Sequence, residues 1–147
     1  MMRLFARLVV ATVAAAGAAQ AQAPAYDPIL TRQAGQALLS GDYAGIRAVV
    51  AAKGDVKTLE APAKAMARWI RQFPTHFPKG SDQGHDTRAL PAIWVDFADF
   101  QIRANDLTAT ADKLAELAKA GDSEAVAAQV KVVGDACTAC HRTYSAR

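Results

Sequence analysis

The sequence has 147 residues, with 17 basic and 14 acidic side chains and a formal charge of +3. This length provides one domain with a hydrophobic core but is too short for two domains of ordinary size. No run or stripe of basic residues has the pattern that follows a phosphate backbone, which argues against nucleic acid as a partner.

The N-terminus has the pattern of a secretory leader. Arg3 and Arg7 give a basic start, an uncharged apolar run follows, and the small-residue triplet Ala19-Gln20-Ala21 comes after it. This order is typical of a signal peptide. The apolar run has 12 residues, whereas a membrane-spanning helix needs about 20, so a retained anchor is the less favoured interpretation.

Cleavage is predicted after Ala21, in preference to a cut after Ala23 that would leave Pro24 at the new N-terminus. Residues 1–21 are then the signal peptide, and residues 22–147 form one mature domain with 15 basic and 14 acidic side chains, a formal charge of +1. This signal predicts an exported protein that has no membrane association after cleavage.

The first helix is predicted to begin at Asp27, an N-cap residue that is followed by proline at the first helical position. It should end near Gly54. Its apolar pattern is the weakest in the chain, and the Ser-Gly-Asp triplet at 40–42 could kink or break it, because glycine and short polar residues are poor in helix interiors.

The second helix is predicted from apolar residues that recur in steps of four and three. A loop rich in proline and glycine follows it and extends to Leu90. The apolar positions of this helix are Leu59, Ala63, Met66, Ile70 and Phe73.

A third helix is predicted from about Pro91 to Ala120, with Gly121 ending it. Asp122 or Ser123 should cap the last helix. An apolar stripe runs along that helix and includes both cysteines of the chain, so the cysteines are predicted to face inward. The stripe consists of Val126, Val130, Val133, Cys137, Cys140 and Tyr144.

Four helices with short connections between the first and second, and between the third and fourth, predict an all-α protein. The expected architecture is an antiparallel up-down-up-down four-helix bundle. In this topology the end of the last helix and the loop over residues 73–90 lie at the same end of the bundle.

The motif Cys-Thr-Ala-Cys-His at 137–141 carries the chemistry. Two thiols three residues apart on a helix project from one side, where each can add to one vinyl group of a haem as a thioether. The adjacent His141 can then bind the iron through a neutral imidazole nitrogen. The motif therefore predicts one covalent haem c held by Cys137 and Cys140, with His141 as axial iron ligand.

Two other uses of the cysteines are less favoured. A redox-active Cys-x-x-Cys pair typically follows a strand and opens a helix in a βαβ unit, whereas this pair lies near the end of a predicted C-terminal helix. A structural zinc site needs about four protein ligands, and only His76 and His85 remain to complete one.

The chain resembles the cytochrome c′ family, the class of c-type cytochromes that are four-helix bundles with haem near the C-terminus. The resemblance covers nearly the whole mature chain and is most specific at residues 137–144, in the turn over 118–122, and in the Ala-Ile-Trp segment at 92–94 with Asp96 and Phe100 beyond it. It implies a periplasmic and often homodimeric protein with five-coordinate, high-spin iron. Its partners would be diatomic gases (NO, CO) and an unidentified redox protein.

The resemblance also implies roles for residues of the first helix. Arg32 and Gln33 match the family residues that interact with haem propionates. The side chain that covers the open face of the haem comes four residues after the arginine, which here is Gln36, where the family usually has leucine, methionine or phenylalanine. A shift of register would place Ala37 or Leu39 there instead.

Two functions remain open from the sequence. One is a gas-binding haem protein, favoured because the first helix has neither methionine nor histidine. The alternative is a low-spin electron carrier like cytochrome c-556, with His76 or His85 as sixth ligand, although a solvated loop position is the favoured interpretation for both histidines. Met66 is expected in the core. An enzyme is not predicted, because no paired acid and base groups indicate a substrate pocket.

Overall fold

The computed structural model describes residues 26–146. The predicted signal peptide and its cleavage site lie outside these residues. Within them, none of the helices combines the length and the hydrophobicity that a membrane span requires.

Helix α1 spans Pro28–Ala51. As predicted, Asp27 caps it, because its carboxylate accepts hydrogen bonds from the backbone N–H groups of Ile29 at 2.8 Å and Leu30 at 3.0 Å. The helix continues through residues 40–42, so the break considered there is absent. Gly41 lies in open space, and its cost of about 1 kcal/mol relative to alanine is small enough for tertiary packing to offset.

Helix α2 spans Glu60–Gln72, as the apolar spacing predicts, and has a 3-10 turn at each end. The loop that follows returns to the C-terminus of the chain. There the N–H of Leu90 donates to the carbonyl of Tyr144 at 3.0 Å, and the N–H of Ala146 donates to the carbonyl of Arg88 at 2.8 Å. The loop and the end of the last helix therefore lie together, as the topology predicts.

The third predicted helix is two helices in the structure, α3 over Ala92–Val95 and α4 over Phe97–Ala120. The prediction of one continuous helix from Pro91 is wrong at Asp96, where φ is −128° and ψ is 69°. The Asp96 carboxylate accepts a hydrogen bond from the N–H of Asp99 at 3.0 Å. The interruption occurs because a short acidic side chain bonds the backbone at a helix start better than it fits a helix interior.

Helix α5 spans Ser123–Tyr144. Gly121 ends α4 in the left-handed conformation, with φ of 78°, which glycine adopts without steric cost. Of the two N-cap residues considered, Asp122 is the cap, since its carboxylate accepts from the N–H of Ala125 at 3.0 Å.

The long helices α1, α2, α4 and α5 form the predicted antiparallel four-helix bundle. Most of the length of the bundle has an aliphatic core in which alanines allow close approach of the helices, and Leu114 at its centre is fully buried. The end that contains the loop has a separate aromatic cluster of Phe77, Ile93, Phe100 and Tyr144. Cys140 of α5 packs against this aromatic cluster, and Cys137 packs against the adjoining aliphatic core.

Leu114→Ala should lower the free energy of unfolding by about 2–5 kcal/mol, because it removes buried methyl groups and leaves a cavity. Chemical unfolding followed by far-ultraviolet circular dichroism measures the loss. The matched control is Leu38→Ala on the exposed side of α1, where the side chain is 73% exposed and the change should stay within about 0.5 kcal/mol. Equal effects of the two substitutions would contradict the assignment of Leu114 to the core.

Candidate functional site

A cavity of about 550 Å³ opens at the aromatic end of the bundle. Its volume lies within the range of roughly 300–1,000 Å³ that is usual for sites holding small molecules and cofactors. All four long helices and the loop after α2 contribute to its wall. The side chains on which the following argument depends are Arg32, Gln33, Gln36, Leu39, Ser40, Tyr43, Met66, Phe73, Cys137, Cys140 and His141.

The wall formed by α5 contains the complete Cys-x-x-Cys-His motif. Cys137, Cys140 and His141 all border the cavity, since positions three and four apart on a helix share one face. The two thiols are free and half-buried. Burial raises the pKa of both cysteines, so the groups are protonated, inward-facing thiols.

His141 lies at the exposed rim of the cavity. Partial withdrawal of its ring from water lowers the pKa of His141, and the charge of Arg88 lowers it further. Both effects favour the neutral imidazole, which is the form that binds a metal ion.

These residues fit a covalently attached haem. Two thiols and one imidazole project from the same helix face into a cavity of suitable size. In residues 26–146 no three His, Cys, Asp or Glu side chains form a cluster that could hold a bare metal ion. With both thiols used for attachment, His141 is the side chain of this set that could serve as the proximal ligand of a haem iron.

The wall opposite α5 is formed by α1, and there the structure brings together the residues proposed from the resemblance. Arg32, Gln33 and Gln36 all border the cavity. Of the two register alternatives, Leu39 is buried and also borders the cavity, whereas Ala37 is exposed and lies outside it. Two residues of α1, Gln36 and Leu39, thus remain candidates for the face opposite His141.

The guanidinium of Arg32 is buried, with the residue 3% exposed. Its two Nη groups donate four hydrogen bonds, to the carbonyls of His76 and Ser81 and to the hydroxyls of Ser81 and Thr87. Its Cζ atom also lies 4.5 Å from the centre of the Phe77 ring. Burial lowers the pKa of Arg32. Because a guanidinium has five N–H donors, only the Nε–H is left for a haem propionate.

Gln33 is also engaged with the loop, since its Nε2 donates to the carbonyl of His85 at 2.7 Å. Arg32 and Gln33 therefore connect α1 to the segment over residues 76–87 while they border the cavity. A direct contact of either residue with a haem propionate stays a prediction.

Neither loop histidine borders the cavity. The Nδ1 atom of His76 is hydrogen-bonded to the Tyr26 hydroxyl at 2.6 Å. The Nε2 atom of His85 lies 3.0 Å from a carboxylate oxygen of Asp27. Met66 is 1% exposed, as expected for a core residue, and it touches the cavity from α2.

A polar contact between α4 and the end of α5 was not found from the sequence. The Tyr144 hydroxyl donates to a carboxylate oxygen of Asp99 at 2.5 Å, and Nε of Arg103 donates to the same oxygen at 2.6 Å. Burial, followed by the bond to Asp99, raises the pKa of Tyr144 to about 12. The i,i+4 spacing of Asp99 and Arg103 was a visible signal, but the approach of Tyr144 depends on how α4 and α5 pack.

The aromatic side chains near this end of the bundle lie in the core or at the edge of the cavity. Phe73 and Phe77 border the cavity, with ring centres 4.9 Å apart. Trp94 donates from Nε1 to the carbonyls of Phe77 and Pro78. Trp69 packs against the aliphatic core.

Known proteins resemble this chain over the whole of the bundle. The sequence profile of the family described as Cytochrome C′ matches residues 27–145. A cytochrome c′ of Rubrivivax gelatinosus is 34% identical over 121 residues, which are 80% of this chain and 93% of the relative. A crystal structure of cytochrome c′ from the same organism is 31% identical, with a TM-score of 0.74 over 82% of this chain and 95% of that one.

Two further proteins are informative. A cytochrome c-556 of Agrobacterium tumefaciens is 42% identical over 90 residues, which are 61% of this chain and 71% of the relative. The nitric oxide complex of a mutant cytochrome c prime from Alcaligenes xylosoxidans is 26% identical, with a TM-score of 0.74 over 82% of this chain and 95% of that one. The profile match includes every cavity residue discussed above.

Proposed function

The chain belongs to the cytochrome c′ family, whose members carry one covalently bound haem c, and on that premise we propose that Cys137 and Cys140 attach the haem and that His141 is its axial iron ligand. Each thiol would hold the haem through a thioether, formed when S–H adds across one vinyl double bond so that sulfur bonds one vinyl carbon and the thiol proton goes to the other. The common face of the three side chains on α5 supports this assignment.

We propose that the protein binds small gases such as nitric oxide and carbon monoxide at an accessible, high-spin iron. When bound, the haem supplies an iron centre that can take a diatomic ligand and change oxidation state. The observation that carries the proposal is the composition of the α1 wall. The α1 residues that border the cavity include no histidine, methionine or cysteine, and its uncharged polar residues include Gln36, Ser40 and Tyr43.

Within this proposal the chain's own residues have separate tasks. Cys137 and Cys140 retain the cofactor, and His141 presents a neutral nitrogen to the iron. Arg32 holds the loop over the cavity through its four hydrogen bonds. Gln36 lies on the opposite wall, where its amide can donate a hydrogen bond to a bound ligand.

The optical spectrum of the reduced protein tests the gas-binding function. We expect a high-spin spectrum that shifts when carbon monoxide is added, because the α1 wall has no strong ligand to compete with the gas. The nitric oxide complex of the related cytochrome from Alcaligenes xylosoxidans supports this expectation. A low-spin spectrum that carbon monoxide leaves unchanged would refute it.

Gln36→Leu should speed the release of carbon monoxide from the reduced protein by roughly two- to twelve-fold, because it removes one hydrogen bond with a net value of about 0.5–1.5 kcal/mol. Flash photolysis or ligand replacement gives the rate. Ala37→Leu is the matched control, since it adds leucine to an exposed position on the same helix, outside the cavity. Equal rates for wild type and Gln36→Leu would assign the distal position to Leu39 instead.

The second candidate function is a six-coordinate, low-spin electron carrier. The likeness to cytochrome c-556 of Agrobacterium tumefaciens favours it. To become the sixth ligand, His76 would have to break its hydrogen bond with Tyr26, or His85 would have to leave its contact with Asp27. The carbon monoxide experiment separates this function from gas binding.

We also propose a periplasmic location after cleavage of residues 1–21, a redox protein as electron donor or acceptor, and a homodimer. A solved cytochrome c′ that is 30% identical to this chain, with a TM-score of 0.76, is described by its ligand-controlled dimer dissociation, and this likeness supports self-association. We assign no enzymatic turnover to the cavity.

A further inference from the structure

Helices α1 and α2 meet at a contact between Gly35 and Trp69. A Cβ atom at Gly35 would lie 1.9 Å from Cζ2 of the Trp69 ring and 2.3 Å from two further ring atoms. Real Cβ atoms do not approach other atoms so closely, so the indole occupies the volume that any other residue at position 35 would need. The indole of Trp69 therefore packs directly against the backbone of α1 and keeps α1 and α2 apart at this point, and we call this indole the wedge.

The indole of Trp69 is held firmly on its other sides. It stacks on the His76 ring, with centres 5.1 Å apart and planes 21° apart, and it touches Phe73 with centres 6.0 Å apart. Its buried Nε1 has no hydrogen-bond partner among residues 26–146. The contacts of Trp69 with Gly35, Phe73 and His76 are all made by the faces and edges of its ring.

The wedge stands beside the cavity without forming part of its wall. Met66, Ile70 and Phe73 of α2 border the cavity, whereas Trp69 does not. Gly35, which the ring contacts, is the residue immediately before Gln36. A helix backbone transmits such a contact to its neighbour, since helix geometry fixes the position of adjacent residues.

We propose that Trp69 is a positioning residue which, through Gly35, sets the distance of the Gln36 amide from a ligand bound at the iron. The inference rests on the proposed function, because it requires Gln36 to face the iron. The physical basis is that the strength of a hydrogen bond depends steeply on its geometry, with 2.7–3.2 Å favoured between donor and acceptor. A small shift of α1 towards α2 therefore weakens the bond of Gln36 to the ligand.

The test is a double-mutant cycle on the complete holoprotein, with carbon monoxide release as the readout. Trp69→Leu removes most of the wedge and should speed release by about three-fold or more, in the same direction as Gln36→Leu. In the Gln36→Leu background the further change to Trp69→Leu should have no effect, because the residue that Trp69 positions is already missing. If Trp69 contributes only to stability, Trp69→Leu should lower the unfolding midpoint and leave the rate of carbon monoxide release unchanged.

A second pair of variants tests the contact itself. Gly35→Ala should alter release, whereas Gly41→Ala on the same helix should not, since a Cβ at Gly41 meets nothing within 4 Å. Adding Trp69→Leu to Gly35→Ala should return the release rate to that of Trp69→Leu alone. If Gly35→Ala does not fold, the Trp69 and Gln36 cycle decides the matter without it.

The possible outcomes are distinct. If Gln36→Leu acts on the release rate and Trp69→Leu does not, the inference is overturned and the proposed function stands. If Gln36→Leu has no effect, the distal role of Gln36 fails and the inference fails with it. If the effects of Trp69→Leu and Gln36→Leu multiply independently, Trp69 acts by another route and the inference is again wrong.

Discussion

A chain with both Cys137→Ser and Cys140→Ser will lose its haem to acidified organic solvent, whereas the wild-type chain will retain it. Serine cannot form a thioether, so axial ligation and apolar contacts alone would hold the haem in the cavity. A haem stain on a denaturing gel and the mass of the intact chain both measure covalent attachment. We expect essentially no acid-stable haem in the double variant.

Two controls accompany this prediction. Each single variant should retain haem through the remaining thiol, because Cys137 and Cys140 each border the cavity and each can form its own thioether. Ala139→Ser adds a hydroxyl between the two cysteines at an exposed position and should leave attachment intact. Acid-stable haem in the double variant would show that the attachment does not use these thiols.

His141→Gly will remove the axial imidazole while both thioethers remain. The predicted signature is loss of the iron–imidazole stretching band from the resonance Raman spectrum of the reduced protein. Because His141 lies at the exposed rim of the cavity, imidazole added to the solution can reach the iron. We expect it to restore most of the band, since the donor atom is chemically the same.

His85→Gly provides the comparison, because His85 is an exposed loop residue outside the cavity. That substitution should leave the iron–imidazole band unchanged. If the band persists in His141→Gly without added imidazole, another residue ligates the iron and the assignment of His141 is refuted. If the band is lost and returns with imidazole, the change is local to the ligand and not a consequence of misfolding.

Much of the fold could be predicted because its signals are local. Asp27 and Asp122 cap α1 and α5 where the sequence places capping residues, and Gly121 ends α4 as expected. The helix break at Asp96 is not predicted, because an aspartate within an apolar repeat has the same local pattern as a solvated residue inside a helix. In the structure Asp96 instead caps a new helix.

The sequence alone determined the α5 wall of the candidate site, because the spacing of Cys137, Cys140 and His141 within one helix dictates their common face. The tertiary structure decided the opposite wall. It placed Gln36 and Leu39 at the cavity and Ala37 outside it, and it engaged Arg32 with the loop. The rotation and depth of α1 depend on contacts with distant parts of the chain, such as Gly35 with Trp69, which residue spacing along one helix does not encode.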